Sequence, residues 1–266
     1  MTHGENDYFH NAAVVVTGGA SGIGRACARK FHSTGAQVFV FDKNKEGLAA
    51  AAVQMDSVIP VEGDISQWDD CVALADAVRR AGKPLRAIVN SAASFLAKGE
   101  TATARDWDIS LGVNVKGTAL ASSALLNEMR AAGGGAIVNV ASISARIAQP
   151  NRWTYNAAKG AIVALTKCQA LDLAGDNIRV NSVSPGTIWT PELARMTGDN
   201  RAEWGPILGS QHMLNRVGEP GEVAEVIWFL CGPGASFITG ADILVDGGYV
   251  AMGHDRAAIP IPYSNE

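Results

Sequence analysis

Short runs of β-branched and other apolar residues alternate along the chain with longer stretches of helical character. The run Ala-Val-Val-Val at residues 13–16 is apolar at successive positions, which is typical of strands covered on both faces. Seven strands are predicted, at residues 13–17, 37–42, 58–62, 85–90, 136–141, 178–183 and 243–245. Helices are predicted between them, at residues 22–33, 45–54, 67–81, 104–130, 152–173 and 221–230.

This alternation predicts an α/β fold, a doubly wound, seven-stranded parallel sheet with helices on both faces. Such sheets bind ligands at the carboxyl ends of their strands. No repeat or linker divides the sequence, so we expect residues 1–266 to form a single domain. Two segments interrupt the alternation: residues 189–215, polar and aromatic, are predicted to form a lid, and residues 254–266 a C-terminal tail.

Charge and hydropathy narrow the classes of partner. The net charge is −4 and the basic residues are scattered, which argues against nucleic-acid binding. Residues 1–7 are polar and acidic, without a hydrophobic signal segment. No apolar run approaches the ~20 residues of a membrane span. We therefore expect a cytoplasmic protein that binds no membrane.

The cysteines and histidines do not suggest a metal site. Cys27, Cys71, Cys168 and Cys231 are far apart and fall in predicted helices, so we expect four buried, reduced thiols. The five histidines form no pair at i, i+3 or i, i+4. A catalytic metal is therefore not expected.

A glycine-rich turn, Thr-Gly-Gly-Ala-Ser-Gly-Ile-Gly at residues 17–24, follows the first strand and opens the first helix. Glycines let the backbone approach a pyrophosphate, and the helix N-terminus supplies amide donors. The alternative is an ordinary turn from strand to helix. The candidate contacts are Gly18, Ser21, Gly22, Ile23 and Gly24.

Asp42 favours the dinucleotide interpretation, because it ends the second strand eighteen residues after Gly24. An acid there can accept hydrogen bonds from the adenosine ribose and would repel a 2′-phosphate. We therefore expect NAD rather than NADP, although Lys43 and Arg25 are nearby cations.

Asp64 follows the third predicted strand and has two interpretations. Its carboxylate could accept from the adenine amino group, with Ile65 beside it. It could equally cap the next helix, whose predicted start near Ser66 suits such a residue. Both roles stay open.

Tyr155 and Lys159 stand four residues apart on a predicted helix, downstream of Ser142. This spacing places the two side chains on one helix face. A neighbouring cation favours the phenolate, so we expect Lys159 to lower the pKa of Tyr155. The Ser142 hydroxyl can hydrogen-bond an oxygen that becomes a carbonyl. This combination indicates an alcohol dehydrogenase that uses no metal.

In order and spacing, these motifs resemble those of the short-chain dehydrogenase/reductase family over nearly the whole chain. The resemblance rests on the glycine turn, Asn90 to Ala93, Asn114, Ser142, Tyr155 with Lys159, Pro185-Gly186, and Asp246 to Gly248. One segment departs from the family: residues 90–93 are Asn-Ser-Ala-Ala, where Asn-Asn-Ala-Gly is more usual. That difference concerns packing beside the cofactor.

The resemblance implies a Rossmann-type fold and a catalytic tetrad of Asn114, Ser142, Tyr155 and Lys159. Tyr155 would act as general base, Lys159 would also hold the nicotinamide ribose, and Asn114 would keep a relay water at a helix irregularity. Further implied cofactor contacts are Asn90, Ala92, Pro185, Gly186, Thr187, Ile188 and Thr190.

Arg152, three residues before Tyr155, is the main substrate clue. The segment Asn-Arg-x-x-Tyr at residues 151–155 resembles segments in two branches of the family. These are the cytosolic type 2 3-hydroxybutyrate dehydrogenases and the 2-keto-3-deoxy sugar-acid dehydrogenases. There the arginine is implied to grip a carboxylate, and a guanidinium suits that geometry. A solvated arginine at a helix start is the alternative. Arg146, Gln149 and Trp189 are further candidates for a polar substrate pocket.

The leading hypothesis is an NAD-dependent dehydrogenase of a small polar secondary alcohol: a hydroxy acid, sugar, sugar acid or sulfonated sugar. The alternatives are an NADPH-dependent carbonyl reductase and a non-catalytic NAD-binding protein. An enoyl reductase is disfavoured by the tyrosine–lysine spacing. From the resemblance we also expect a homotetramer.

Overall fold

The computed structural model describes residues 8–253, and within them the strands form one parallel sheet of seven. The strands are β1 Ala13–Thr17, β2 Gln37–Asp42, β3 Ile59–Glu62, β4 Leu85–Asn90, β5 Gly135–Val140, β6 Ile178–Pro185 and β7 Asp242–Val245. Their spatial order is β3-β2-β1-β4-β5-β6-β7. The chain therefore winds outward from β1 in both directions, which confirms the doubly wound fold. The predicted tail lies outside the described residues.

The helices lie on both sheet faces. They are α1 Gly22–Ser33, α2 Lys45–Gln54, α3 Trp68–Ala81, α4 Ala104–Leu111, α5 Thr118–Ala131, α6 Trp153–Leu173, α7 Pro191–Met196, α8 Arg201–Gly209 and α9 Pro220–Cys231. Phe31 of α1 and Ile227 of α9 belong to the core on one face, and Leu74 of α3 and Leu125 of α5 to the core on the other. The segment expected to be a lid contains α7 and α8.

The predicted helix at residues 104–130 is not uniform. Thr103 and Asp106 form a reciprocal capping box at its start. A π-helical turn, Gly112–Gly117, then separates α4 from α5. A π turn adds a residue locally and shifts the following side chains around the helix.

By length and composition the helical stretch 104–131 could also cross a membrane, since an 18-residue window within it reaches a mean hydropathy of 1.2. The sequence predicted the length of this helix, at residues 104–130, but no candidate membrane span. Core helices of soluble proteins meet the same criterion, and here α5 packs on α3 while α4 packs on α6.

One cysteine differs from expectation. Cys27, Cys71 and Cys231 are buried, but Cys168 is exposed. It lies on α6 two residues from both Thr166 and Ala170, which face the core. Two residues turn a helix by about 200°, so Cys168 points to the opposite side.

Candidate active site

A cavity of about 360 Å³ opens at the carboxyl ends of the strands, beside the switch point between β1 and β4. Of the predicted site residues it is lined by Gly18, Ser21, Gly22, Ile23, Asp42, Asp64, Ile65, Ala92, Ser142, Tyr155, Lys159, Pro185, Gly186, Ile188 and Thr190. The predicted nucleotide and catalytic motifs therefore share one cavity.

The glycine turn has the shape that a dinucleotide requires. Gly18 has a φ of +66°, and a Cβ there would lie 2.6 Å from the Ala92 backbone. A Cβ on Gly24 would lie 2.2 Å from the Gly18 carbonyl oxygen. Gly24 does not line the cavity; its missing side chain lets α1 pack against the backbone of the glycine turn at Gly18.

The N-terminus of α1 lies at this cavity, and no side-chain cap in the described part of the chain accepts a hydrogen bond from its first backbone N–H groups. Ser21 is the N-cap residue and, within the described structure, makes no side-chain capping bond, and the first turn has no acid. The partial positive charge of this helix end suits a pyrophosphate. The residues present thus fit a dinucleotide.

Asp42 is held in place by backbone amides. Its Oδ2 accepts from the Ala20 N–H at 3.1 Å, and its Oδ1 accepts from the Asn44 N–H at 3.0 Å. Arg25 donates to the carbonyl oxygens of Ala20 and Gly47, so its guanidinium is engaged away from the cavity. Lys43 lines the cavity beside Asp42.

Asp64 stabilises the turn before α3 and lines the cavity. Its Oδ1 accepts from the Ser66 N–H at 2.8 Å and the Ser66 hydroxyl at 2.7 Å. Burial acts to raise the pKa of Asp64, but these bonds and the charge of Lys43 outweigh it and lower the pKa. The helix α3 begins at Trp68 with Gln67 as its N-cap, so Asp64 closes the turn before the helix and does not cap it. The capping role expected as one alternative is therefore wrong, and Asp64 lines the cavity.

Asn114 lies in the π-helical turn and is buried behind the cavity wall. Its Oδ1 accepts from the Ser94 N–H at 3.3 Å, and its Nδ2 donates to the carbonyl oxygens of Ser94 and Ser110. The Asn114 carbonyl accepts from the Thr118 hydroxyl at 2.7 Å. The side chain is therefore a clamp on the loop after β4.

Tyr155 and Lys159 lie on α6, and Lys159 Nζ is 5.7 Å from the centroid of the Tyr155 ring. Nζ donates to the Val140 carbonyl oxygen at 2.8 Å. Burial lowers the pKa of Lys159 to about 8. Lys159 has no acidic partner among residues 8–253.

The pKa of Tyr155 corrects the expectation from sequence. Burial raises it to about 12, against the opposing effects of a hydrogen bond with Ser142 and the charge of Arg152. The expected lowering fails because the phenol, like the lysine beside it, is enclosed by protein, and burial disfavours both charged forms.

Several predicted residues do not line this cavity. The Asn90 Nδ2 donates to Ser122 Oγ and Asn139 Oδ1, so its side chain joins β4 to α5 and β5 instead. Thr187 lines a second cavity of about 430 Å³ behind residues 186–188.

Of the six predicted substrate residues, Ser142 and Tyr155 line this cavity, whereas Arg146, Gln149, Arg152 and Trp189 do not. Arg146 donates to Asp242 at 2.8 Å, and Gln149 accepts from the Ser144 hydroxyl at 2.6 Å. Trp189 lies under the guanidinium of Arg201, with Cζ 5.2 Å from the ring centroid. Arg152 is half-buried near Tyr155, and its guanidinium has no hydrogen bond or ion pair to the described part of the chain.

Other cavity residues escaped the sequence analysis. Phe95, Ile109 and Val113 give the cavity an apolar wall, and Glu192 of α7 adds a carboxylate. Phe95 directly follows the small residues after β4, and an aromatic at that place is the signal that could have found it. Between residues 8 and 253, no group of three or more His, Cys, Asp or Glu could hold a metal ion.

We predict that Lys159→Met stabilises the ligand-free protein near pH 7, by up to about 3 kcal/mol. The folded-state pKa of about 8 lies below the ordinary 10.5, so the unfolded chain binds more protons between these values. The cost of burying the charge is full below pH 8 and fades as pH rises. Urea unfolding of both proteins at several pH values up to 10 measures this difference in the free energy of unfolding.

Lys167→Met is the matched control, because Lys167 is an exposed residue of the same helix. It should change stability little at any pH. A Lys159→Met protein that is less stable than wild type near pH 7, or whose advantage does not shrink with pH, would contradict the prediction.

Comparison with known proteins finds close matches over nearly the whole chain. A family model described as Enoyl-(Acyl carrier protein) reductase matches residues 18–250. The chain is 37% identical to L-fucose dehydrogenase of Mus musculus over 257 residues, 94% of this chain and 92% of that protein. It is 36% identical to cis-4-hydroxycyclohexanecarboxylate dehydrogenase of Sinomonas cyclohexanicum over 249 residues, 92% and 98% of the two chains.

The fold also matches a solved structure. The crystal structure of L-sorbose reductase from Gluconobacter frateurii, complexed with NADPH and L-sorbose, superposes with a TM-score of 0.86 at 28% identity. The match covers 92% of this chain and 98% of that chain. By sequence, fold and the order of its motifs, the chain belongs to the short-chain dehydrogenase/reductase family of oxidoreductases.

Proposed function

We propose that this protein oxidises a secondary alcohol of a small polar substrate with NAD. The observation that carries the proposal is the single cavity in which Ser142, Tyr155 and Lys159 meet the glycine turn and Asp42. A protein that only binds nucleotide has no need of a buried lysine, whose charge costs stability, beside a buried tyrosine.

The roles of the residues follow from their positions. The glycine turn and Asp42 would hold NAD, which would supply a hydride acceptor for the carbinol carbon. The Tyr155 oxygen takes the hydroxyl proton, and the Ser142 hydroxyl orients the substrate oxygen and stabilises charge on it. The charge of Arg152 favours the phenolate, and we propose that the ammonium of Lys159 does the same. We propose that a relay water at Asn114 then carries the proton on.

The preference for NAD is supported by the carboxylate of Asp42 and by the engagement of Arg25 with backbone carbonyls. The second candidate is an NADPH-dependent carbonyl reductase, because the similar L-sorbose reductase holds NADPH and Lys43 lines the cavity here. An enoyl reductase, as the family model is described, is disfavoured by the spacing of Tyr155 and Lys159.

The substrate class rests on two kinds of support. The names of the relatives, L-fucose, L-sorbose and hydroxycyclohexanecarboxylate enzymes, all denote small hydroxylated compounds. Glu192 lines the cavity and disfavours an anion, although it is paired with Arg195. Arg152 does not line the cavity, but it has no partner among residues 8–253 and its charge acts on Tyr155, which favours an anion. We propose a sugar, hydroxy acid, sugar acid or sulfonated sugar, with the charge to be decided by experiment.

We also propose that the protein acts as a cytoplasmic homotetramer, without nucleic-acid or membrane partners. Exposed apolar side chains on the long helices support the assembly: Leu111 on α4, and Trp153 and Leu171 on α6. Burying such residues between subunits removes apolar surface from water.

We predict that Tyr155→Phe loses nearly all turnover and keeps nucleotide binding. The substitution retains the ring and deletes the proton acceptor, so the loss should fall on the chemical step. Incubation of wild type with a panel of alcohols and NAD, followed by NADH absorbance, identifies a substrate and provides the assay. Substantial turnover by the variant would mean that another group is the base.

We predict that wild type prefers NAD and that Asp42→Ala raises the relative use of NADP. Asp42→Asn separates charge from shape, because an amide oxygen can still accept one of the two backbone N–H groups. It should relax the preference with a modest fall in melting temperature, because one of the two backbone N–H groups loses its acceptor. Equal kcat/KM with both nucleotides in wild type would remove the claim.

We predict that Arg152→Ala raises the KM for an anionic substrate far more than the KM for a neutral alcohol. A charge-assisted pair is worth roughly 1.5–3 kcal/mol, or about tenfold to a hundredfold in kcat/KM. Arg152→Lys should recover part of the loss, since an ammonium lacks the planar fork. Equal losses for acid and neutral substrates would show that Arg152 anchors no anion.

A further inference from the structure

Phe95 is a large apolar side chain that remains 52% exposed in the wall of the catalytic cavity. Its ring lies beside the ring of Tyr155, with centroids 6.1 Å apart and planes inclined by 22°. The two rings are therefore stacked, and Phe95 extends an aromatic surface outward from the proton acceptor.

The loop that carries Phe95 is fixed on both sides. Before it, Ser94 is held through its N–H and C=O by the side chain of Asn114. After it, the Thr154 hydroxyl donates to the Leu96 carbonyl at 2.9 Å and accepts from the Lys98 N–H at 3.0 Å. Phe95 thus sits on a backbone anchored to the helices that carry the tetrad.

The apolar surface continues beyond this ring. Ile109, 40% exposed, and Val113 line the same cavity from α4 and the π-helical turn. Polar groups for the reacting oxygen, the hydroxyls of Ser142 and Tyr155, line it as well. The lining of the cavity therefore suits a ligand with a hydroxyl on one side and an apolar face on the other.

We propose that Phe95 is a platform for the C–H face of a ring-shaped substrate, so that the substrate class is cyclic alcohols, including sugars in their ring form. A ring presents a flat, rigid face to the aromatic surface, whereas an open chain must lose torsional freedom to cover it. This inference rests on the proposed function, since the ring must bring its carbinol to Tyr155 and Ser142.

The test compares two diols with equal numbers of carbons and hydroxyls, cyclohexane-1,2-diol and hexane-2,3-diol. Wild type should oxidise the cyclic diol with the higher kcat/KM. Phe95→Ala should lower kcat/KM for the cyclic diol about tenfold, mainly through KM, and for the open chain less than about twofold, since aromatic contacts are worth about 0.5–1.5 kcal/mol beyond burial.

Two further variants make the comparison specific. Phe95→Tyr keeps the ring face and should retain the wild-type ratio between the diols, whereas Phe95→Leu keeps apolar bulk and should fall between. Phe237→Ala is the matched control, because Phe237 is fully exposed and does not line either described cavity. Phe237→Ala should leave kcat/KM unchanged for both diols. Melting temperatures confirm that each variant is folded.

The possible failures are distinguishable. If Phe95→Ala lowers kcat/KM equally for both diols, or if wild type has the higher kcat/KM for the open-chain diol, the proposed role of Phe95 is wrong and the proposed function stands. If wild type oxidises no member of a broad alcohol panel with NAD or NADP, the proposed function is wrong and the platform falls with it.

Discussion

The buried ammonium of Lys159 is the interaction on which the rest of the site depends. It stands one helical turn after Tyr155 and donates to the Val140 carbonyl at the end of β5, so it joins the catalytic helix to the sheet. Among residues 8–253 no carboxylate forms an ion pair with Lys159 that would offset the free-energy cost of burying its charge. The free protein thus holds this charge at a cost in stability; under the proposed function the same charge would assist the chemistry, a common trade between activity and stability.

A buried network of amides keeps α6 in the position that this interaction needs. Asn139 of β5 donates from Nδ2 to Thr166 Oγ1 and Gln169 Oε1 of α6, each at 2.9 Å. On its other side, its Oδ1 accepts from Asn90 of β4. Polar groups in a low-dielectric interior are costly when unpaired, so such a network favours one register between helix and sheet. The separation of Tyr155 from Ser142 follows from that register.

The sequence predicted the seven strands within two residues at each end, because apolar runs and turn residues are local signals. It placed most nucleotide-binding and catalytic residues in one cavity through motif order. The apolar period of residues 104–130 gave no sign of the π turn at Gly112–Gly117, since the hydrogen-bond register of a helix leaves little trace in that period. Only the family resemblance implied an irregularity at Asn114.

The substrate residues were the least predictable. Arg146 pairs with Asp242, 96 residues away, and no local pattern reports such a partner. The pKa of Tyr155 was expected to fall, but the burial that raises it depends on the packed structure. Phe95 is a loop residue, and its place beside Tyr155 comes from bonds to Asn114 and Thr154 on distant segments.

The clamp by Asn114 has a consequence for which substitutions this position can accept. Its side chain accepts once and donates twice, to groups on Ser94 and Ser110. Among the standard side chains, only asparagine carries an amide on a single methylene: aspartate has no donor when ionised, serine has one, and glutamine reaches a methylene further. Position 114 therefore has no conservative replacement, even though its side chain does not line the cavity.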